Sequence, residues 1–354
     1  MKRKLITAAL TATMILTVFS GCVEQETPVK EQKTETNEET EKKEETRKDV
    51  GSDILNKTDH LNIALQPIPG YLPMTVLQDK GWLEEALAEA GFENVEVTFT
   101  EFESGPSENQ AFNYGSIDVA VMGNVPTITG AAANGHRAII GVAYNGEKTE
   151  AVLVSPNSGI SSVQELKGKR IGLVMGSIAE DYLARLSKKE GIGHEDATLI
   201  DTELSQQLDA LSSGKVDAIA TWQPNIAKAE AQGVGRVLVD ATGVYKCENL
   251  MSANKEYADL NPDIVRIFLE QYKRACEEVS KNLDKYASEY ASKYGLNADI
   301  VLSTLEDMNF QVVINEDDIE DFQHTADWLY VSGALSEELD IHDIVDTSFV
   351  DTLK

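Results

Sequence analysis

Apolar residues recur along this chain in two registers. From Leu61 onward, short apolar runs alternate with longer stretches in which apolar positions return every three or four residues. The short runs suit strands covered on both faces, and the longer stretches suit amphipathic helices. Residues 61–65, 95–99, 119–122, 170–174, 198–200 and 218–221 read as strands. One helical stretch follows the first strand as far as Ala90 and stops at Gly91; another runs over residues 178–190 and stops at Gly191. Beyond Asp259 the pattern is mostly helical, near residues 262–282, 283–294 and 317–331, in segments that would pack back on the first part of the chain. Strands alternating with helices predict parallel α/β sheets.

The pattern repeats after 99 positions. Gly115-Ser116-Ile117-Asp118-Val119-Ala120-Val121 leads to Asn124-Val125-Pro126, and Gly214-Lys215-Val216-Asp217-Ala218-Ile219-Ala220 leads to Trp222-Gln223-Pro224. Each stretch reads as helix end, turn, buried strand and new helix. Gly115 and Gly214 supply left-handed caps, and Pro126 and Pro224 suit a first helical turn. This duplication predicts two α/β lobes, with residues 54–148 plus 244–354 forming the first and residues 149–243 the second. Ligands of open α/β sheets lie beyond the carboxyl ends of the strands. The loops at 66–72, 103–107, 123–126, 175–177 and 221–224 are therefore expected to face one cleft.

The first 53 residues have a different character. Lys2-Arg3-Lys4 precedes a 15-residue apolar run from Leu5 to Phe19, then Ser20-Gly21-Cys22. A positive start, an apolar middle and small residues before a cut describe a secretory leader. As a helix this run is ~22 Å long, short of the ~20 residues a membrane span needs. Small residues directly before Cys22 resemble the lipobox of prokaryotic lipoproteins, which implies cleavage after residue 21 and lipidation of Cys22; an ordinary leader with an incidental cysteine is the alternative. Two acyl chains would make such an anchor stable. Residues 23–53 carry 11 acids and 6 bases, and their only large apolar side chains are Val23, Val29 and Val50. Such a stretch cannot offset its ordering entropy and reads as a disordered acidic tether.

The whole chain has a net charge of −29; setting aside +3 in the leader and −5 in the tail leaves −27 for residues 54–354. That argues against a nucleic-acid partner. It does not exclude an anionic ligand, since a closed pocket responds to local dipoles. Cys247 and Cys276 permit either an extracytoplasmic disulfide or buried free thiols. The five histidines are scattered and no cysteine–histidine spacing suits a metal, so neither metal nor cofactor is expected.

Several segments together resemble the nitrate/sulfonate/taurine-type substrate-binding proteins of ABC importers. They are Gln66-Pro67-Ile68-Pro69-Gly70-Tyr71-Leu72-Pro73 with Gln78-Asp79-Lys80-Gly81-Trp82-Leu83, then Ser104-Gly105-Pro106, the stretch from Gly115 to Pro126, and Glu150-Ala151-Val152-Leu153-Val154. Leu166-Lys167-Gly168-Lys169-Arg170-Ile171-Gly172, Gly176-Ser177 and Val216-Asp217-Ala218 through Pro224 complete the match over about residues 60 to 270. Asn124 and Gln223 stand where that family commonly has Asp. The resemblance implies a type II periplasmic-binding fold, two Rossmann-like lobes with a ligand cleft between them. It also implies a monomeric, lipid-anchored receptor passing a small solute to an ABC permease. Helix starts at 105–107, 124–125 and 176–177 would hold an oxyanion. The candidate contacts are Gln66, Tyr71, Ser104, Gly105, Asn124, Val125, Gly176, Ser177, Asp181, Trp222, Gln223 and Glu248.

Some of these residues also have structural explanations. Ser177 with Glu180 forms a capping-box pattern. Glu180 and Asp181 either satisfy a helix dipole or meet an ammonium group, which would favour a zwitterion such as taurine over a simple anion. Tyr71 and Trp222 wall the cleft or pack the core; Trp82 and Trp328 read as packing residues. The rival functions are a binder of a pyrimidine or thiamine-precursor heterocycle, an enzyme built on the same fold, and a sensor ectodomain. No catalytic triad or phosphate loop supports the enzyme, and the sensor would need a spanning helix.

Overall fold

The computed structural model describes residues 58–193 and 196–353. The leader, Cys22, the acidic tether and His194 lie outside the described residues.

The chain begins with β1 (His60–Leu65), a 3₁₀ turn at Pro69–Tyr71, α1 (Leu72–Lys80) and α2 (Trp82–Glu89). One helix was expected here; Gly81, at φ 64°, breaks it into two. There follow β2 (Glu96–Glu101), α3 (Gly105–Asn113), β3 (Val119–Gly123), α4 (Asn124–Asn134) and β4 (Arg137–Asn145). The chain then enters a second sheet through β5 (Glu150–Val154), β6 (Arg170–Leu173), α5 (Ile178–Glu190) and β7 (Thr198–Asp201). It continues through α6 (Gln207–Ser212), β8 (Ala218–Trp222), α7 (Asn225–Gln232) and β9 (Arg236–Asp240). After returning it forms β10 (Asn249–Asn254), α8 (Lys255–Leu260), α9 (Pro262–Lys281), α10 (Leu283–Tyr290), α11 (Ala298–Glu306), β11 (Asn309–Phe310) and α12 (Glu316–Val331).

The two sheets share one plan. The first has the order β11-β4-β10-β3-β1-β2 and the second β7-β6-β8-β5-β9. In each, three strands are parallel, and an antiparallel strand, β10 or β5, pairs with the third of them. The repeated aspartates explain why the sequence repeats. Asp118 Oδ2 accepts the backbone N–H of Asn62 at 2.8 Å, and Asp217 Oδ2 accepts that of Arg170 at 2.9 Å. Each carboxylate thus fastens the third parallel strand to the start of the first. The preceding glycines, Gly115 and Gly214, have φ of 72° and 71°, a region that costs glycine little.

Pro224 departs from expectation. It lies just before α7, not in its first turn, and follows a cis peptide bond after Gln223.

The C-terminal helices cover the first sheet. α9 buries Ile264, Val265, Phe268, Leu269, Tyr272, Ala275, Cys276 and Val279 along one stripe and packs on α1 and α2. Each large side chain among them contributes roughly 1.5–3 kcal/mol on full burial. α12 packs on α4. Cys247 and Cys276 are both free and buried, so burial, not a disulfide, accounts for them. The two crossings between sheets lie side by side: Gly146 donates its N–H to the Lys246 carbonyl at 2.7 Å. Among the described residues no helix is long and apolar enough to cross a membrane.

Candidate functional site

The carboxyl edges of the two sheets face a shared cavity. The first lobe contributes Gln66, Ile68, Tyr71, Gly105, Gly123, Pro126, Tyr144 and Asn249, and the second contributes Glu150, Ser177, Ile178 and Trp222. Each of the five loops singled out from the sequence supplies at least one of these residues. The antiparallel strands add their first residues, because the start of an antiparallel strand lies beside its neighbour's carboxyl end. Thus Asn249 pairs with Gly123, and Glu150 pairs with Trp222. The space left for solvent is about 20 Å³, the scale of one water. A sulfonate or a heterocycle is larger, so the lobes must part to admit one.

Close packing shapes the walls. A Cβ on Gly105 would fall 2.4 Å from Pro126 Cγ, so only glycine lets the start of α3 meet α4. A Cβ on Gly176 would sit 3.9 Å from Pro106 Cγ, which brings the starts of α3 and α5 together across the cleft. The first N–H groups of a helix have no intrahelical partner and carry the positive end of its dipole. Gly105, Ser177 and Ile178 bring the α3 and α5 starts onto the cavity wall.

The third expected helix start is already occupied. At α4, the Asn124 N–H goes to the Glu248 carbonyl at 3.2 Å, and the Val125 N–H goes to Asn124 Oδ1 at 2.8 Å. The Val125 side chain is buried in a separate apolar cluster with Phe322 and Leu329. Neither residue lines the cavity. Gly176 is spent as well, its N–H donated to Glu180 Oε2 at 2.7 Å.

The expected capping box at α5 forms only in part. Glu180 reaches back, but Ser177 Oγ donates to the Val174 carbonyl at 2.6 Å and caps no helical N–H. Ser104 also sits behind the wall; its N–H and carbonyl both meet Ser107 Oγ.

Asp181 is the largest correction. It is fully buried and ion-paired with Arg185 at 2.9 Å. Its Oδ2 accepts from Asn124 Nδ2 at 3.2 Å and from the Thr325 hydroxyl at 2.9 Å. Arg185 in turn donates to Thr325 and to the Asp321 carbonyl. This is a latch joining α5 of the second lobe to α4 and α12 of the first. The carboxylate already has its cation, so a ligand ammonium finds no free partner there. Gln223 likewise leaves the cavity, donating to Asp307 Oδ2 at 3.2 Å and accepting the Ala227 N–H at 3.2 Å. Glu248 is buried off the cavity wall, and burial together with the Asp321 carboxylate pushes its pKa well up.

Of the candidate contacts, Gln66, Tyr71, Gly105, Ser177 and Trp222 line the cavity. Gln66 Nε2 donates to Glu108 Oε1 at 2.7 Å. Tyr71 donates its hydroxyl to Asn249 Oδ1 at 2.6 Å, and its ring lies 5.6 Å from that of Tyr144. Tyr144, Glu150 and Asn249 were not singled out. Glu150 did leave a signal, a charged residue opening the otherwise apolar run Ala151-Val152-Leu153-Val154. It is 1 % exposed, and Oε2 has no hydrogen-bond partner among the described residues. Burial pushes its pKa well above the usual carboxylate range. Among the described residues no cluster of side chains suits a metal ion.

Known proteins agree with this architecture. A protein of Bacillus subtilis (strain 168) named for aliphatic sulfonate binding is 29% identical over 281 residues, covering 78% of this chain and 83% of that one. Its counterpart in Escherichia coli (strain K12) is 28% identical over 263 residues, covering 72% and 81%. The structure of the alkanesulfonate-binding protein SsuA from Xanthomonas axonopodis pv. citri, bound to MOPS, superposes with a TM-score of 0.75 at 25% identity, covering 82% of this chain and 99% of that one. Enzymes also occur among the relatives: the yeast synthase THI13, which makes a hydroxymethylpyrimidine phosphate, is 26% identical over 261 residues, covering 69% of this chain and 74% of that one. The fold is that of periplasmic binding proteins. The family model NMT1/THI5 like matches residues 69–285, and the chain belongs to that family.

Proposed function

We propose that this chain is an extracytoplasmic solute-binding protein that delivers a small sulfonate-type anion or zwitterion to an ABC importer. The observation that carries this reading is the meeting of the α3 and α5 starts on the wall of one interlobe cavity. The Gly105 N–H of α3, whose next residue Pro106 has none, and the first N–H groups of α5 would hold an oxyanion from both lobes and give them a reason to close. The sulfonate-binding relatives and the SsuA structures support the same ligand class. The lobes are proposed as residues 54–148 plus 244–354 and residues 149–243. Anchoring through a lipidated Cys22, a monomeric state and an ABC permease partner belong to the same proposal. An enzymatic role has less support, because the relatives named for aliphatic sulfonates are binding proteins.

Calorimetric titration with ethanesulfonate, taurine, nitrate, sulfate and a hydroxymethylpyrimidine tests the reading. A sulfonate dissociation constant at or below the micromolar range, about −8 kcal/mol, is expected. Binding of the pyrimidine alone would overturn the sulfonate class and favour stacking on Tyr71, Tyr144 and Trp222.

A further inference from the structure

We infer that Glu150 is the counter-charge for a cationic group on the ligand, so that the preferred solute is a short amino-sulfonate zwitterion. This rests on the sulfonate reading above and narrows it. The anionic end would sit at the α3 and α5 starts, and the ammonium would meet Glu150.

The argument begins with an uncompensated buried polar group. Buried carboxylates are almost always paired or hydrogen-bonded, because leaving one bare is costly. Glu248 breaks this rule too, with neither oxygen partnered among the described residues, but it lies off the cavity wall and feels Arg185. Asp181 and, through one oxygen, Glu108 are compensated. Asp181 holds Arg185, and Glu108 accepts from Gln66 with Arg137 close enough to oppose its pKa rise. Glu150 has neither kind of help. Burial is the cause of its raised pKa, and no cation among the described residues offsets it. The titratable groups around it are Tyr71 and Tyr144 from the first lobe, Tyr182 from α5, and Tyr245 and Cys247 from the returning crossing. All are neutral at physiological pH, their own pKa values pushed up by burial. Glu150 lines the cavity and its Oε2 lacks a partner, so a ligand donor arriving there meets an open acceptor.

The neighbours suit a small cationic group. Trp222 pairs with Glu150 across the strands, and Tyr71 and Tyr144 line the cavity from the first lobe. Aromatic faces favour a cation as well as an alkyl chain. An ammonium reaching Glu150 would displace the carboxyl proton to solvent and leave an ion pair closed off from water. A simple alkanesulfonate would bury the same acid with no such gain.

Calorimetry on the full chain at pH 7, with taurine and ethanesulfonate in two buffers of different ionisation enthalpy, tests this. Taurine should bind at least tenfold tighter and release up to about one proton per ligand. In Glu150→Gln the preference should collapse to within threefold and the proton release should vanish. Glu150→Asp, which keeps the acid, should retain a preference for taurine, and thermal melts establish that both variants fold. Ethanesulfonate binding as tightly as taurine in the unaltered protein would overturn the inference and leave the sulfonate reading standing; so would a preference untouched by Glu150→Gln. Failure of both sulfonates to bind would remove the reading itself, and this inference with it.

Discussion

Asn249 and Glu150 hold the same place in the two lobes. Each opens the antiparallel strand of its sheet, and each lies opposite the last residue of the third parallel strand, Gly123 or Trp222. Both are buried and both line the cavity. Their chemistry differs. Asn249 is neutral and accepts the Tyr71 hydroxyl at 2.6 Å. Glu150 is an acid whose Oε2 has no partner, and whose charge no cation offsets, among the described residues. The shared plan of the lobes therefore fixes where cleft residues stand, while the residue type at each place sets what the cleft recognises. A satisfied position on one wall holds the lobe together, and an unsatisfied one on the other wall leaves capacity for a ligand.

The largest expected effect lies outside both positions and tests whether Asp181 belongs with Glu150 or with Asn249. Removing one partner of a buried ion pair strands the other. Asp181→Ala should cost about 3 kcal/mol in urea unfolding, the lower end of the range because Arg185 is partly exposed. Among sulfonates the order of affinities should not change. A lost taurine preference would return the ammonium to Asp181.

Tyr71→Phe sharpens the other side. It removes the donor to Asn249 Oδ1 and leaves a buried acceptor bare, for a cost of about 1–2 kcal/mol. A variant as stable as the parent would mean that Asn249 is as poorly satisfied as Glu150, and the contrast between the lobes would fail.

The sequence was most legible where backbone geometry repeats. Gly115 and Gly214 marked the caps, the apolar runs marked β3 and β8, and the five connecting loops all reach the cavity. It was least legible where a side chain chooses among polar partners. Asn124, Asp181 and Gln223 look like cleft residues because helix starts and acids suit ligands. They are consumed instead by Thr325, Arg185 and Asp307, which lie far along the chain, in α12 and after α11, or a helical turn away. Local sequence does not reveal such long-range partners. Glu150 was passed over for the complementary reason. At the head of an apolar run it marks the start of a strand, and only the folded cavity shows that Oε2 has no partner among the described residues.

The finest test uses pH. Glu108, Glu150 and Glu248 all have pKa values raised by burial. An acid with a raised folded pKa keeps its proton after the unfolded chain has lost its own. Its stabilising share is complete below the ordinary value near 4.5, and it falls as pH rises toward the folded value. Each such group costs up to about 1.4 kcal/mol per pH unit within that window. Other acids, such as Asp196 and Asp217, are shifted the opposite way, so the total slope is a mixture. The difference between the parent and Glu150→Gln isolates one term, because the glutamine does not titrate and the other acids are common to both proteins. Unfolding free energies of the two from urea titration should diverge by no more than about 1.4 kcal/mol between pH 5 and pH 6, with the variant gaining as pH rises. Parallel pH profiles would mean that Glu150 is ionised in the folded protein without a ligand. It would then already have a cation, and the two lobes would be alike in the one respect that separates them.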